Sequence, residues 1–234
     1  MSEGQHSQEE FSKSPRVRTT IRELVKLAGE DVVELGSSDF SFKTSLLQTH
    51  HRTYRSWKTI DLGPTADFNV DLNVSRLHLP LGDQTVDVAI CTEVLEHLLW
   101  PQALLLELRR ILRPHGVLIC SVPNIVSLTY RIKFLFGGLP SCSARGNVPA
   151  RLNEIHYFNE QGLQHGGHVI NFNKGMLRDL LELCGFVCKR MLGTGLFWHR
   201  TILPAAFCPV SLSSNLLAIA SVGPTKIESK APDG

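Results

Sequence analysis

The sequence predicts an α/β fold: a Rossmann-like, mostly parallel sheet with helices on both faces and a final antiparallel strand pair. Three observations carry this prediction. Val86 to Cys91 is an apolar run of β type that stops at the polar pair Thr92-Glu93. Leu104, Leu105, Leu108, Ile111 and Leu112 then recur at helical spacing. The turn Arg113-Pro114-His115-Gly116 ends that helix and releases a second apolar strand, Val117 to Val122. Strand, helix and strand joined by short connections form a βαβ unit, whose strands lie parallel.

The remaining elements follow in chain order. Arg16 to Ala28 reads as an opening helix with Ile21, Leu24, Val25 and Leu27 on its apolar face. Asp31 to Leu35 is the first strand, ending at Gly36, and Phe40 to Gln48 begins the helix after it. Ser56 to Leu62 forms the second strand, with Asp61 near its carboxyl end and Gly63-Pro64 breaking it. Phe68 to Leu72 is a short third strand or its approach. After the βαβ unit, Ile125 to Asn173 is irregular and rich in glycine and proline. A structureless loop of that length is uncommon in a compact domain, so helical pieces are expected, the first at Leu128 to Phe136, covering the site. Asn173-Lys174-Gly175 opens a helix that runs to Leu183 and closes at Gly185. Phe186 to Leu192 and Leu216 to Val222 complete the sheet as the antiparallel pair.

Length and composition bound the function. A chain of 234 residues with 43% hydrophobic and 20% charged content forms one soluble domain with an adequate core. Residues 1–15 and 225–234 are polar and read as tails, which leaves 16–224 as a single domain with a cap or insert at about 125–173. The first residues lack an apolar signal segment. A net charge of +2 provides no large electrostatic attraction to nucleic acid. Residues 201–225 carry no formal charge. Pro204, Pro209 and four serines interrupt them, so they read as an apolar loop before a buried strand and not as a membrane span. The six cysteines form no CxxC pair, as expected of free thiols in a reducing cytoplasm.

Leu79-Pro80, Asp83, Asp87 and Glu93-Val94-Leu95-Glu96-His97, followed by Arg110-Ile111-Leu112-Arg113-Pro114-His115-Gly116, form a recognisable string. It resembles the middle of the class I S-adenosylmethionine-dependent methyltransferases, in the small-molecule branch of methyltransferase type 11. The resemblance covers 32–122 well and 167–186 loosely. It implies a methyl transfer from S-adenosylmethionine to a small-molecule, glycan or lipid-linked acceptor, with neither a nucleic-acid partner nor a membrane span. The alternative is a non-catalytic, methyltransferase-like binding module.

Cofactor-binding residues follow from the same resemblance. Glu34 and Gly36 match the start of the family's glycine motif, whereas Ser38 and Phe40 stand where it has further glycines. Asp61 matches the acidic residue that accepts both ribose hydroxyls, as an ionised carboxylate can. Asp71 and Leu72 match the adenine position, and Thr92 and Glu93 the methionine position. Ligands in open α/β sheets bind outside the carboxyl ends of the strands, where these residues fall. Methyl transfer from a sulfonium is a direct displacement, so positioning matters more than a fixed catalytic triad. His97 and His168 are the candidates for a general base. No metal is expected: Glu154, His156, His165 and His168 fit no standard zinc spacing, and Cys184 and Cys188 lack a second ligand pair. Arg131, Lys133, Arg145 and Arg151 form a solvated face or meet an anionic acceptor. A nicotinamide enzyme would need G-x-G-x-x-G at the first turn, which Gly36-Ser-Ser-Asp-Phe-Ser does not supply.

Overall fold

The computed structural model describes residues 12–37, 41–50, 53–138, 157–158, 164–165, 168–198 and 200–223. Five helices among them are α1 (Pro15–Leu24), α2 (Phe42–Thr49), α3 (Pro101–Ile111), α4 (Leu128–Leu135) and α5 (Lys174–Leu183). The main sheet uses β1 (Asp31–Leu35), β2 (Ser56–Asp61), β3 (Phe68–Asn69), β4 (Val86–Thr92), β5 (Leu112–Pro123), β8 (Phe186–Gly193) and β11 (Asn215–Val222). Two small ribbons pair β6 (Tyr157–Phe158) with β7 (Gln164–His165), and β9 (Leu196–Trp198) with β10 (Arg200–Leu203).

Strand order is β3-β2-β1-β4-β5-β11-β8. Pairing is parallel from β3 through β5, and β11 runs antiparallel to both of its neighbours. The order reverses between β1 and β4, which makes their carboxyl ends the expected ligand crevice. One face of the sheet is covered by Leu104, Leu105, Leu108 and Ile111 of α3 with Leu177 and Leu181 of α5. The other is covered by Val17, Ile21 and Leu24 of α1 with Phe42 and Leu46 of α2. Each helix contributes one apolar stripe, as an amphipathic helix on a sheet must.

Local chemistry explains the boundaries. Proline stands at the first turn of both α1 and α3, where its missing N–H would have no partner anyway. The Asn173 side chain accepts the N–H of Met176 at 3.0 Å and caps α5, and Gly185, at φ +80°, lets the chain leave it. The expected third strand is shorter, because Asp71 Oδ1 accepts the N–H of Asn73 at 2.8 Å and bends the chain out of the sheet.

The turn at 113–116 also takes another form. Val86 pairs with Leu112 and Val88 with Val117, so these four residues bulge opposite Asp87 inside one long strand. Arg113 pins the bulge by donating to Asp87 and, at 2.9 Å, to Asp31 Oδ2. Cys91 and Cys120 are buried register partners on β4 and β5, and burial pushes both thiols up. Among the described residues, no helix is long and apolar enough to cross a membrane.

Candidate active site

The carboxyl ends of β1, β2 and β4 meet in one place. Leu35 pairs with Ile60 on one side and with Cys91 on the other. Directly after it, Gly36 takes φ +71° and donates its N–H to Ile60 O at 3.1 Å. Only glycine adopts this conformation without steric cost.

Glu34 lies below that turn and is 1% exposed. Its carboxylate accepts the main-chain N–H of Phe42 at 2.8 Å, the Ser41 hydroxyl at 2.9 Å and the Trp57 indole N–H at 2.9 Å. Ser41 Oγ also accepts the Lys43 N–H and caps α2. One carboxylate thus binds β1, β2 and the start of α2 together. Burial outweighs these three donors and leaves the Glu34 carboxyl above its usual range.

Asp61 ends β2 and is half-buried. Its Oδ1 accepts the Leu62 N–H at 2.6 Å, and Oδ2 takes no hydrogen bond from the described residues. Asp71 is exposed and Leu72 buried. Asn73, next to them, accepts the Leu99 N–H at 2.7 Å and ties this segment to the turn after β4.

At the end of β4, Thr92 is buried and Glu93 adopts φ +56°. A left-handed non-glycine residue is held against a cost of order 1–3 kcal/mol and clusters at functional sites. Here three bonds hold it: its N–H to Ser121 O at 2.9 Å, Ser121 Oγ donating to Oε1 at 2.8 Å, and Asn215 Nδ2 donating to Oε2 at 2.9 Å.

A short turn, Leu95–His97, follows. The carbonyl of Glu96 accepts the N–H groups of Val169 and Ile170 at 2.7 and 3.1 Å. These bonds bring His168 to His97, with ring centroids 4.9 Å apart and planes at 78°. Burial, reinforced by the His97 charge, lowers the His168 pKa to about 4. His168 also borders a hollow lined by Pro123, Ile125, Tyr130 and Phe172.

The comparisons with known proteins follow this geometry. Residues 58–120 match the family model described as a methyltransferase domain. A protein of Mycolicibacterium smegmatis, named a "probable S-adenosylmethionine-dependent methyltransferase", is 32% identical over 126 residues. Residues 58–120 thus carry the likeness to a methyltransferase domain, and the mycobacterial relative shares it. That alignment takes in 53% of this chain but only 38% of the mycobacterial protein's length. Solved structures agree on the fold. A methyltransferase of Thermotoga maritima superposes with a TM-score of 0.56 at 14% identity, covering 93% of this chain and 95% of that one. The 1,6-didemethyltoxoflavin-N1-methyltransferase of Burkholderia thailandensis, crystallised with its substrate and S-adenosylhomocysteine, gives 0.51 at 16% identity, covering 91% and 80%.

Within this chain the residues named from sequence separate into groups. Gly36, Asp61, Thr92 and Glu93 sit on adjoining strand ends. Asp71 and Leu72 lie beyond β3, and Glu34 lies under the turn with its oxygens taken. His97 and His168 touch. Ser38, Phe40, Cys142, Arg145, Arg151, Glu154 and His156 fall outside the described residues. Sequence reasoning missed two residues, Glu96 and Asn124. The latter is fully buried, donates to Ser211 O at 3.1 Å and Ser213 O at 2.9 Å, and pairs with Phe172 beside β5.

Proposed function

We propose that this chain transfers the methyl group of S-adenosylmethionine to a small-molecule, glycan or lipid-linked acceptor held over the carboxyl edge of the sheet. One observation carries the reading. Two left-handed residues, Gly36 and Glu93, and a carboxylate with an unused oxygen, Asp61, lie on three adjoining strand ends beside the switch in strand order. This donor set fits the cofactor: a glycine turn admits close backbone approach, and a rim carboxylate can accept ribose hydroxyls.

The bound cofactor supplies an electrophilic methyl on sulfur. Asp61 would hold the ribose, with Asp71 and Leu72 flanking the adenine and Thr92 and Glu93 facing the methionine end. Ser38 belongs to the same turn by sequence. Glu34 is a positioning residue, since it binds the turn to α2 and Trp57. Direct displacement then depends on holding acceptor, methyl and sulfur in line. His168, unprotonated at neutral pH because of its burial, accepts a hydrogen bond from the acceptor's protonated atom, and His97 supports it from the solvent side.

Of the cover expected at 125–173, α4 presents Ile132, Phe134 and Leu135 outward, and Phe136 follows them at its end. Those apolar side chains favour an acceptor with an apolar part. The free buried thiols of Cys91 and Cys120 support a cytoplasmic setting.

Calorimetric titration with S-adenosylhomocysteine tests the proposal. Binding at a single site, weakened by Asp61→Ala, is expected. A folded protein without affinity for it is instead the non-catalytic module.

A further inference from the structure

We propose that Glu96, His97 and His168 form a binding site for a divalent transition cation of the Zn2+ type. The inference goes beyond methyl transfer and gives His97 and His168 a second, alternative use: with an ion bound, the His168 lone pair serves the metal and not the acceptor's proton. The three side chains each offer one ligand atom, and these atoms lie within 4.8 Å of one another. Glu96 is 1% exposed, and neither of its carboxylate oxygens has a hydrogen-bond partner among the described residues. A buried carboxylate without hydrogen bonds is costly, and natural proteins retain one where a proton or a cation compensates it.

Among the described residues, the Arg16 charge acts on Glu96 but does not offset its burial, and no cation bonds its carboxylate. His97 Nε2 lies 3.9 Å from Oε1, beyond hydrogen-bond reach. Glu93, the adjacent acid, already uses both oxygens on Ser121 and Asn215. Glu96 therefore faces two imidazoles and a second carboxylate.

The donor set selects the metal. One carboxylate with two imidazoles suits Zn2+, Fe2+ or Co2+, whereas Mg2+ and Ca2+ prefer all-oxygen sites. Bonds of about 2.1 Å place tetrahedral ligand atoms roughly 3.4 Å apart. The observed set, within 4.8 Å, therefore has up to about 1.4 Å to close, which rotations of His97 and His168 would supply. Three protein ligands leave a coordination position open, as in catalytic zinc sites. The open side meets the solvent edge of His97, which is 40% exposed. An oxygen or nitrogen atom of the acceptor could fill it.

Backbone bonds set the position of the triad. The Glu96 carbonyl holds Val169 and Ile170, so one ligand pair and the third ligand, distant in sequence, arrive together. Neither the spacing of His97 and His168 nor their flanks match a standard zinc motif, which is why sequence spacing did not reveal the site.

The test uses the full chain, stripped of metal by chelation and titrated with Co2+ as a coloured substitute for Zn2+. One equivalent should bind with strong visible d–d absorption that Zn2+ then abolishes. Glu96→Gln, an isosteric change, and His168→Ala should each weaken Co2+ binding at least tenfold, with the folded state checked by circular dichroism. Wild-type protein that leaves Co2+ with the pale spectrum of the aqua ion overturns the proposal. So do bands that persist in both variants, because the ion then lies elsewhere. Titration with S-adenosylhomocysteine in parallel separates this outcome from failure of the methyltransferase reading, since either ligand can bind without the other.

Discussion

Gly36 and Val94 touch across the carboxyl edge of the sheet: a methyl group added at Gly36 would lie 2.5 Å from Val94 Cγ2. Gly36→Ala therefore meets both a crowded neighbour and a left-handed backbone at φ +71°. The cost should be about 2 kcal/mol of stability, with S-adenosylhomocysteine affinity falling roughly tenfold or more as the turn shifts. Urea denaturation and calorimetry read the two effects separately.

Asp61→Ala should separate binding from folding. Loss of charge-assisted bonds to the ribose hydroxyls predicts roughly 10- to 100-fold weaker S-adenosylhomocysteine binding. The change removes one bond at the rim, from the Leu62 N–H, so stability should move by only about 0.5 kcal/mol. Affinity equal to wild type would exclude Asp61 as the ribose ligand.

Glu34→Ala should act in the opposite way, chiefly on the fold. It strands the Trp57 indole N–H, the Phe42 N–H and the Ser41 hydroxyl around a buried hole. A loss of about 3 kcal/mol or more is expected from equilibrium denaturation. Glu34→Gln keeps an acceptor oxygen and should lose less.

Acid should weaken the fold through the ion pairs at the amino ends of β1 and β4. The Arg55 guanidinium, together with Arg113, holds the Asp31 carboxyl below its usual range. Burial pushes Asp87 up, but the N–H groups of Asp31 and Glu30 and the Arg113 guanidinium outweigh it and hold Asp87 low as well. A depressed folded carboxyl stabilises above its unfolded pKa of about 3.9 and loses that contribution as pH falls through the folded value. The melting temperature should therefore drop between about pH 5 and pH 2. Arg113→Ala should flatten that drop, as thermal scans across the range would show.

Much of this architecture was legible in the residues. β1 begins and ends where its apolar run does, at Asp31 and Leu35, and α5 is bounded by Asn173 and Gly185 as cap chemistry requires. β3 was overestimated because an aspartate-to-backbone bond at Asp71 competes with the sheet and nothing in local hydropathy reports it. Candidate site residues could be named where the residue type carries a signal, as at Gly36 and Asp61. They were hidden where the main chain does. Glutamate gives no sign of a left-handed backbone at position 93, because tertiary bonds to Ser121 and Asn215 impose it. His97 and His168 each stood out, yet a peptide carbonyl brings them together, and every residue type has one.

The antiparallel strand β11 lies between β5 and β8, although it follows both in the chain. During synthesis, β5 must therefore remain an open edge until Asn215–Val222 has cleared the ribosome. Nascent chains halted earlier would show an unpaired, apolar margin, the kind of surface that chaperones bind and that aggregation exploits. Final closure of the domain thus waits on the arrival of eight late residues.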